Sequence, residues 1–457
     1  MTPILATSKS TMPPSFQTFN IRLGYATRGL TINPYAVRHV NRSIYRYYSA
    51  TSLPSASAVI VGAGPGGITV LGNLLEHGTE LQTDQRKLVW VDPHFQGGRV
   101  NSRYREVPSN TKVGLFVQFA HDVSPFRTIV EESPKPNAFT ALQELPQDQG
   151  CRLSYAADMC LMLTQGLVAH PQVESHRGKV ASATLDERSN TWTVKFDDGQ
   201  HVTTSKIALC TGSAPVSKTL PAIEKIDQQS LSPVDLDVAL APSVLAKTFD
   251  PAANTIIAVI GASHSAILVL MNLVSLASSS HPHLRIKWFT RNKLRYAEYK
   301  DGWILRDNTG LKGQAAAWAR QNLDEDTFPN SPVSKLITKV WTAGREEEAY
   351  AAEFPECTHI VQAVGYARNP LPSFEVIGKD GGSSKPLQVE YDNLNGRFYT
   401  QDGSKSEHER KYVPGLFGAG IAFPEHVTDP LGNVEYAVGF WKFMKFVKRV
   451  VPDWLKA

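Results

Sequence analysis

The run Gly62-Ala63-Gly64-Pro65-Gly66-Gly67 carries glycines at G-x-G-x-x-G spacing. It lies between the apolar run Val59-Ile60-Val61 and a segment in which Ile68, Leu71, Leu74 and Leu75 recur at helical intervals. In that strand-turn-helix setting each glycine has a chemical task. The first permits a tight turn, the second lets a pyrophosphate approach the backbone, and the third lets the helix pack close to the strand. The exposed amides at the helix start attract phosphate. Glycines that serve only a tight turn are the bland alternative, and the flanking pattern argues against it. Lys87 to Asp92 reads as the next strand, and Asp92 at its end is placed to accept hydrogen bonds from ribose hydroxyls. Asp92 comes 30 residues after Gly62, where about 20 is usual. The hydrophilic insertion Gln82 to Lys87 accounts for the excess.

A second turn, Gly261-Ala262-Ser263-His264-Ser265-Ala266, follows the apolar run Thr255 to Ile260 and precedes an apolar helical stretch from Ser265 to Val274. Serine and alanine still permit close approach, and the hydroxyls of Ser263 and Ser265 add phosphate donors. His264 reads as a turn residue. The following strand, Arg285 to Phe289, ends in Thr290-Arg291, with Lys293 and Arg295 beyond. An acid there would accept from a ribose 2′-hydroxyl, whereas a guanidinium pairs with a 2′-phosphate. Arg291 is therefore the expected reader of a phosphorylated dinucleotide. An ordinary solvated loop is the alternative for the three cations.

These turns need two related folds to hold them. Ala181 to Leu185, Thr191 to Phe196 and His201 to Cys210 are short runs rich in β-branched residues, separated by polar turns, and predict an antiparallel meander. Ala214 to Thr255 reads as a connection. Thr358 to Gly365 parallels Lys206 to Gly212, each ending in a small residue and glycine. The pair is expected to bracket an insertion, with the chain returning to its first domain near His359. The expected fold class is α/β: two Rossmann-like dinucleotide-binding domains, the second inserted in the first, with the meander attached. The first domain would comprise residues 55–235 and 371–457, and the insertion residues 250–370.

Two further segments carry a resemblance. Gln96-Gly97-Gly98-Arg99 follows Asp92, and Pro414-Gly415-Leu416-Phe417-Gly418-Ala419-Gly420 lies near the C-terminus. With them, the chain from about Ser55 onward resembles the glutathione reductase-type flavoprotein superfamily. The FAD domain of that superfamily has a Gly-Gly segment after the ribose-binding acid and a late strand ending in Gly-Asp; here Ile421 stands at the Asp position. The resemblance implies FAD at the first turn, held by Gly62, Gly64, Pro65, Gly66, Gly67, Asp92, Gly97, Gly98, Arg99 and Gly420. The second turn resembles the nicotinamide-binding turn of thioredoxin reductase-like proteins and flavin-dependent monooxygenases. Together with Arg291 this implies NADPH, bound by Gly261, Ser263 and Ser265.

Pro108-Ser109-Asn110-Thr111-Lys112, with Asp122 to Phe126, resembles the segment of flavin-containing monooxygenases in which an Asn followed by a Lys lies beside the isoalloxazine. That match implies a catalytic Asn110, bonded to the flavin or its peroxide adduct. Ala363-Val364-Gly365-Tyr366 resembles the Ala-Thr-Gly-Tyr motif of N-hydroxylating monooxygenases, with Val364 in place of Thr. The leading reading is an FAD- and NADPH-dependent monooxygenase acting on a small molecule through a flavin peroxide. A reductase of a quinone or other electron acceptor is the second. A dinucleotide-responsive binding protein without turnover is the third.

Composition sets the outer limits. The chain has 457 residues, 42% of them hydrophobic, enough for two or three cored domains. Its 4 cysteines show neither zinc-site spacing nor a Cys-x-x-Cys motif. No apolar run reaches the roughly 18 residues needed to span a bilayer. The 47 basic residues slightly exceed the 43 acidic ones, but Lys9, Arg22, Arg28, Arg38, Arg42 and Arg46 precede the first acid, Glu76. The body is thus nearly neutral and gives no sign of a nucleic-acid surface. The acid-free leader, residues 1–54 with Arg46-Tyr47-Tyr48-Ser49 near its end, reads as a mitochondrial presequence. Near the C-terminus Tyr436, Phe440, Phe443, Met444, Val447 and Val451 form an apolar stripe opposite Lys442, Lys445, Lys448 and Arg449. This face is expected to pack on its own domain, with peripheral contact to an anionic membrane as the alternative.

Overall fold

The first β-α-β unit follows from its residues. Ala58–Val61 (β1) is four buried apolar residues, and its run stops where Gly62 turns with φ 107°. The helix Pro65–Glu76 (α1) starts on a proline, whose missing N–H is no loss in a first turn. Leu88–Val91 (β2) lies parallel to β1, with Val59 opposite Val89. The structure, a computed structural model, describes residues 55–78, 86–221, 231–400 and 410–457. The leader expected in residues 1–54 and most of the insertion before β2 lie outside the described residues.

The chain then runs through Pro108–Lys112 (β3) and a series of helices that includes Val113–His121 (α2) and Leu153–Ala169 (α3), to Val173–His176 (β4) beside β2. Val180–Asp186 (β5), Thr191–Phe196 (β6) and His201–Thr204 (β7) form the expected antiparallel meander. The third run does not continue to Cys210. It breaks after Thr204, and Ile207–Leu209 (β8) enters the main sheet parallel to β1. The reason lies in burial: β7 alternates half-buried and buried positions, as suits a sheet with one covered face, whereas β8 is buried throughout.

The inserted domain repeats the plan. Ser232–Pro233 (β9), Thr255–Ile260 (β10), the helix His264–Ser279 (α4), Leu284–Thr290 (β11), the helix Gly313–Asn322 (α5), Ile337–Trp341 (β12) and His359–Gln362 (β13) follow in order. Their 5-stranded sheet, in the order β9-β13-β10-β11-β12, is parallel throughout. One expectation is corrected here. The strand at His359 does not return to the first domain; it pairs with β10, Val361 opposite Val259, as β8 pairs with β1. Ser232 and Pro233, within the segment read as a connection, also join this second sheet.

The return comes a few residues later, where Tyr366–Arg368 pairs antiparallel with Ser213–Pro215. Ser373–Ile377 (β14) then extends the meander parallel to β5. Val389–Tyr391 (β15), Arg397–Thr400 (β16) and Tyr412–Gly418 (β17) complete the main sheet, whose order is β15-β16-β17-β8-β1-β2-β4. The last helix, Phe440–Lys456 (α6), buries Phe440, Phe443, Met444, Phe446, Val447, Val450, Val451 and Trp454 in the core shared with α1 and α2. Its apolar stripe is consumed inside the protein, as amphipathic packing requires. Tyr436 falls outside the helix, exposed on the strand Val434–Ala437. Of the opposing cations, Lys442 pairs with Asp307, Lys448 with Asp122 and Arg449 with Glu425. Among the described residues no helix is long and apolar enough to cross a membrane.

Candidate functional site

Three segments converge on the first turn. A Cβ on Gly98 would come 2.7 Å from Gly64 Cα, and one on Gly66 would come 3.0 Å from Gly420 Cα. The turn, the Gly-Gly segment and the end of β17 therefore meet through bare backbone at the start of α1, whose N-cap residue, Gly64, gives no side-chain cap. Such a cradle presents amides to a dinucleotide pyrophosphate and excludes any side chain that would fill it. The residues present fit FAD. Asp92 ties the cradle to β2: its Oδ2 accepts from the Ala63 amide at 2.7 Å, and its Oδ1 accepts from the amides of His94 and Phe95, both at 2.8 Å. Three of roughly four acceptor positions are used, which leaves the carboxylate able to take one more donor, such as a ribose hydroxyl. Gly97 packs on α3, where a Cβ would lie 3.0 Å from that of Cys160. Ile421 is 43% exposed beside Gly420.

Both turns are locked by a tryptophan that motif reading missed. Trp90 Nε1 donates to Gly62 O at 2.9 Å, and Trp288 Nε1 donates to Gly261 O at 2.7 Å. The signal was present, since each Trp sits on the second strand of its unit one or two residues before the strand ends. In the second turn Gly261 has φ 130° and a Cβ there would strike Ala363 O at 2.4 Å. Ser263 is the extended N-cap of α4, with no side-chain capping bond. His264 is half-buried, and its buried Nδ1 has no hydrogen-bond partner among the described residues. Desolvation, with Lys312 nearby, lowers its pKa to about 4, so the ring is neutral at physiological pH.

Other expected residues fall into different surroundings. Arg99 does not point into the cradle as an uncommitted cation; its guanidinium pairs with Asp237 and donates through Nε to Tyr104 at 3.2 Å. Arg291 stands at the end of β11, 66% exposed, with Glu346 at 3.5 Å. Lys293 pairs with Glu325. Asn110, exposed on β3, lies against the start of α5: a Cβ on Gly313 would be 3.7 Å from Asn110 Cα. No side-chain partner holds the Asn110 amide among the described residues. The loop before α5 is strapped to the C-terminal segment. Asp307 is shared by Lys312 and Lys442, while Asn308 and Thr309 donate to Glu435.

Two glycine turns, each between a parallel strand and a helix in its own sheet, define a flavoprotein with two dinucleotide-binding domains. A family model described as FAD-NAD(P)-binding matches residues 59–214. A monooxygenase of Paecilomyces divaricatus, AgnR1, is 51% identical over 407 residues, covering 88% of this chain and 98% of its own length. The chain belongs to this family of flavoprotein monooxygenases. Among solved structures it resembles a flavin-containing monooxygenase of Stenotrophomonas maltophilia, at 13% identity and a TM-score of 0.53 over 88% of this chain and 99% of that one. It also resembles the L-lysine 6-monooxygenase of Pseudomonas syringae, at 14% identity and a TM-score of 0.50 over 88% of this chain and 99% of that one. The bacillithiol disulfide reductase Bdr of Staphylococcus aureus is likewise similar, at 11% identity and a TM-score of 0.50 over the same shares. Reductase and monooxygenases thus share this fold, and the sequence relative separates the readings.

The cradle geometry distinguishes two glycine variants. A Cβ on Gly64 finds Gly98 Cα at 3.7 Å, whereas one on Gly67 would strike Gly62 O at 1.8 Å. Gly64→Val should fold, with a native near-ultraviolet dichroism spectrum, yet retain less than about a tenth of the flavin, since its branches occupy the pyrophosphate path. Gly67→Ala should lose fold and flavin together. Full flavin content in folded Gly64→Val would overturn the assignment. For the coenzyme, Arg291→Ala should weaken NADPH binding by about tenfold, the low end for a charge-assisted bond, and leave NADH binding little changed. Equal losses with both coenzymes would exclude Arg291 as the reader of the 2′-phosphate.

Proposed function

We propose that the protein is an FAD-containing monooxygenase that takes hydride from NADPH and oxidises a small organic molecule. The observation that carries this reading is near-full-length similarity to a monooxygenase combined with both dinucleotide turns built on bare backbone. FAD, when bound, supplies hydride acceptance and oxygen activation; the protein supplies binding, orientation and exclusion of water. The backbone amides around Gly64, Gly98 and Gly420 hold its pyrophosphate. Those at the start of α4, with Ser263, hold the phosphates of NADPH.

Asn110 presents an amide where the flavin domain meets α5 of the inserted domain. An amide both donates and accepts, so this side chain can hydrogen-bond polar groups that develop beside the flavin. Its role separates productive oxygenation from wasteful release of hydrogen peroxide. Asn110→Leu should be reduced by NADPH anaerobically at a rate within about twofold of wild type, yet release several times more hydrogen peroxide per NADPH oxidised in air. An unchanged peroxide yield would remove Asn110 from the mechanism. Rapid quinone reduction by the wild type, with no oxygen incorporated into any product, would replace the monooxygenase reading with the reductase one.

The acid-free, arginine-bearing leader supports import into mitochondria. N-terminal sequencing of the protein from its native cell should find a start near Ser49. A cytosolic pool that retains Met1 would overturn the import reading.

A further inference from the structure

We propose that Arg368 supplies a positive charge beside the flavin half of FAD and so favours the reduced cofactor over the oxidised one. The inference rests on the reading of the first turn as the FAD site. The parallel strands β17, β8, β1 and β2 stand in that order, so their C-terminal ends lie along one edge of the sheet. A ligand of such a sheet lies in the crevice outside those ends. Asp92, after β2, has an acceptor position left for a ribose, and the start of α1, after β1, takes the pyrophosphate. The rest of the cofactor, its flavin half, therefore runs on across the ends of β8 and β17.

The segment that carries Arg368 bridges those two ends. Arg368 closes the strand Tyr366–Arg368, opposite Ser213. Its neighbour Asn369 grips the end of β8: the backbone N–H donates to Gly212 O at 3.0 Å and the side-chain amide to Thr211 O at 2.8 Å. Arg368 reaches the end of β17, where its Nε donates to Ala422 O at 2.8 Å. Its guanidinium carbon lies 4.2 Å from the centre of the buried Phe423 ring. The remaining N–H groups of the guanidinium have no acceptor among the described residues.

No carboxylate pairs with this cation among the described residues either. Residues 419–424 contain no acid, with Ile421 directly before Ala422. Asp392, next to Tyr391, pairs with Arg410, and Glu425 pairs with Arg449. A carbonyl and an aromatic face hold the guanidinium in place but leave its charge uncompensated. An apolar side chain would cover Phe423 as well, so packing alone does not call for a charge here.

Hydride transfer gives that charge a use. A C–H bond of the nicotinamide breaks, an N–H bond forms on the flavin, NADPH becomes NADP+, and the flavin takes up one negative charge. A nearby cation stabilises the charged ring and does little for the neutral oxidised one. Solvent screens a side chain as exposed as Arg368. The effect on the reduction equilibrium is therefore about tenfold, the low end for an opposite charge at close range.

The test is the two-electron reduction potential of the holoprotein, read without turnover by anaerobic equilibration with a redox dye. Arg368→Gln should lower the reduction equilibrium constant about tenfold, which is about 30 mV for a two-electron couple, with the Kd for oxidised FAD within about twofold of wild type. Arg368→Met, which keeps an unbranched side chain against Phe423, should do the same. Arg368→Lys retains the charge and should stay within about threefold of the wild-type constant. An unchanged potential in the two neutral variants would overturn the proposal, and so would an equal fall in Arg368→Lys and Arg368→Gln. Collapse of the fold or loss of oxidised FAD in both neutral variants would mark the residue as structural and overturn it too. A wild-type protein that binds no FAD would overturn the FAD reading itself, an outcome distinct from a holoprotein whose potential ignores the substitutions.

Discussion

The bond from an indole N–H to the carbonyl of the first turn glycine carries the architecture of both domains. Each turn glycine leaves its strand with positive φ, and its carbonyl accepts from an indole. An unsatisfied buried carbonyl would cost about 1–3 kcal/mol. Trp90 and Trp288, both fully buried, satisfy it from the adjacent strand. The same bond fixes the turn against β2 or β11, and with it the start of the following helix. Gly67 belongs to this constraint, because a side chain there would collide with the carbonyl that the indole holds. The phosphate cradles are thus set by the backbone and by two fully buried indoles.

What was legible in the sequence was local. Strand, turn and helix at Val59 to Leu75 and at Thr255 to Val274 span few residues, and their chemistry is carried by glycine, serine and apolar spacing. Non-local pairings were not legible. The strand at His359 has the same local pattern as Ile207–Leu209, because each pairs with the strand that leads into the glycine turn of its own sheet; nothing in the pattern says which sheet. Arg99 belongs to a short motif, but its acid, Asp237, is 138 residues away. Arg291 was found by its place after β11, whereas the facing Glu346 belongs to a helix whose approach no spacing reveals. The C-terminal stripe predicted a packed face correctly, and only the structure shows that three of the opposing cations are tied to carboxylates.

The two domains touch at several places. Arg99 and Asp237 tie the flavin cradle to the inserted domain. A strap at Asp307 to Thr309 joins that domain to Lys442 and Glu435 on the C-terminal segment. Lys312 and Lys442 hold the Asp307 carboxyl below its ordinary pKa despite its burial, so the strap is ionised across the physiological range. Asn110 lies against the helix that follows this strap. A residue of the flavin domain is in this way positioned by an element of the domain inserted into it.

The crossings between the domains have a thermodynamic consequence. The chain enters the inserted domain after Ser213–Pro215 and leaves it at Tyr366–Arg368, and these two segments are hydrogen-bonded neighbours. Closing a flexible loop costs conformational entropy that grows with its length. Here the loop is itself a folded body with its own core, and its two ends already lie side by side. To the flavin domain the entire excursion counts as little more than a tight hairpin, so a domain-sized insertion adds almost nothing to the entropy that the host fold must overcome.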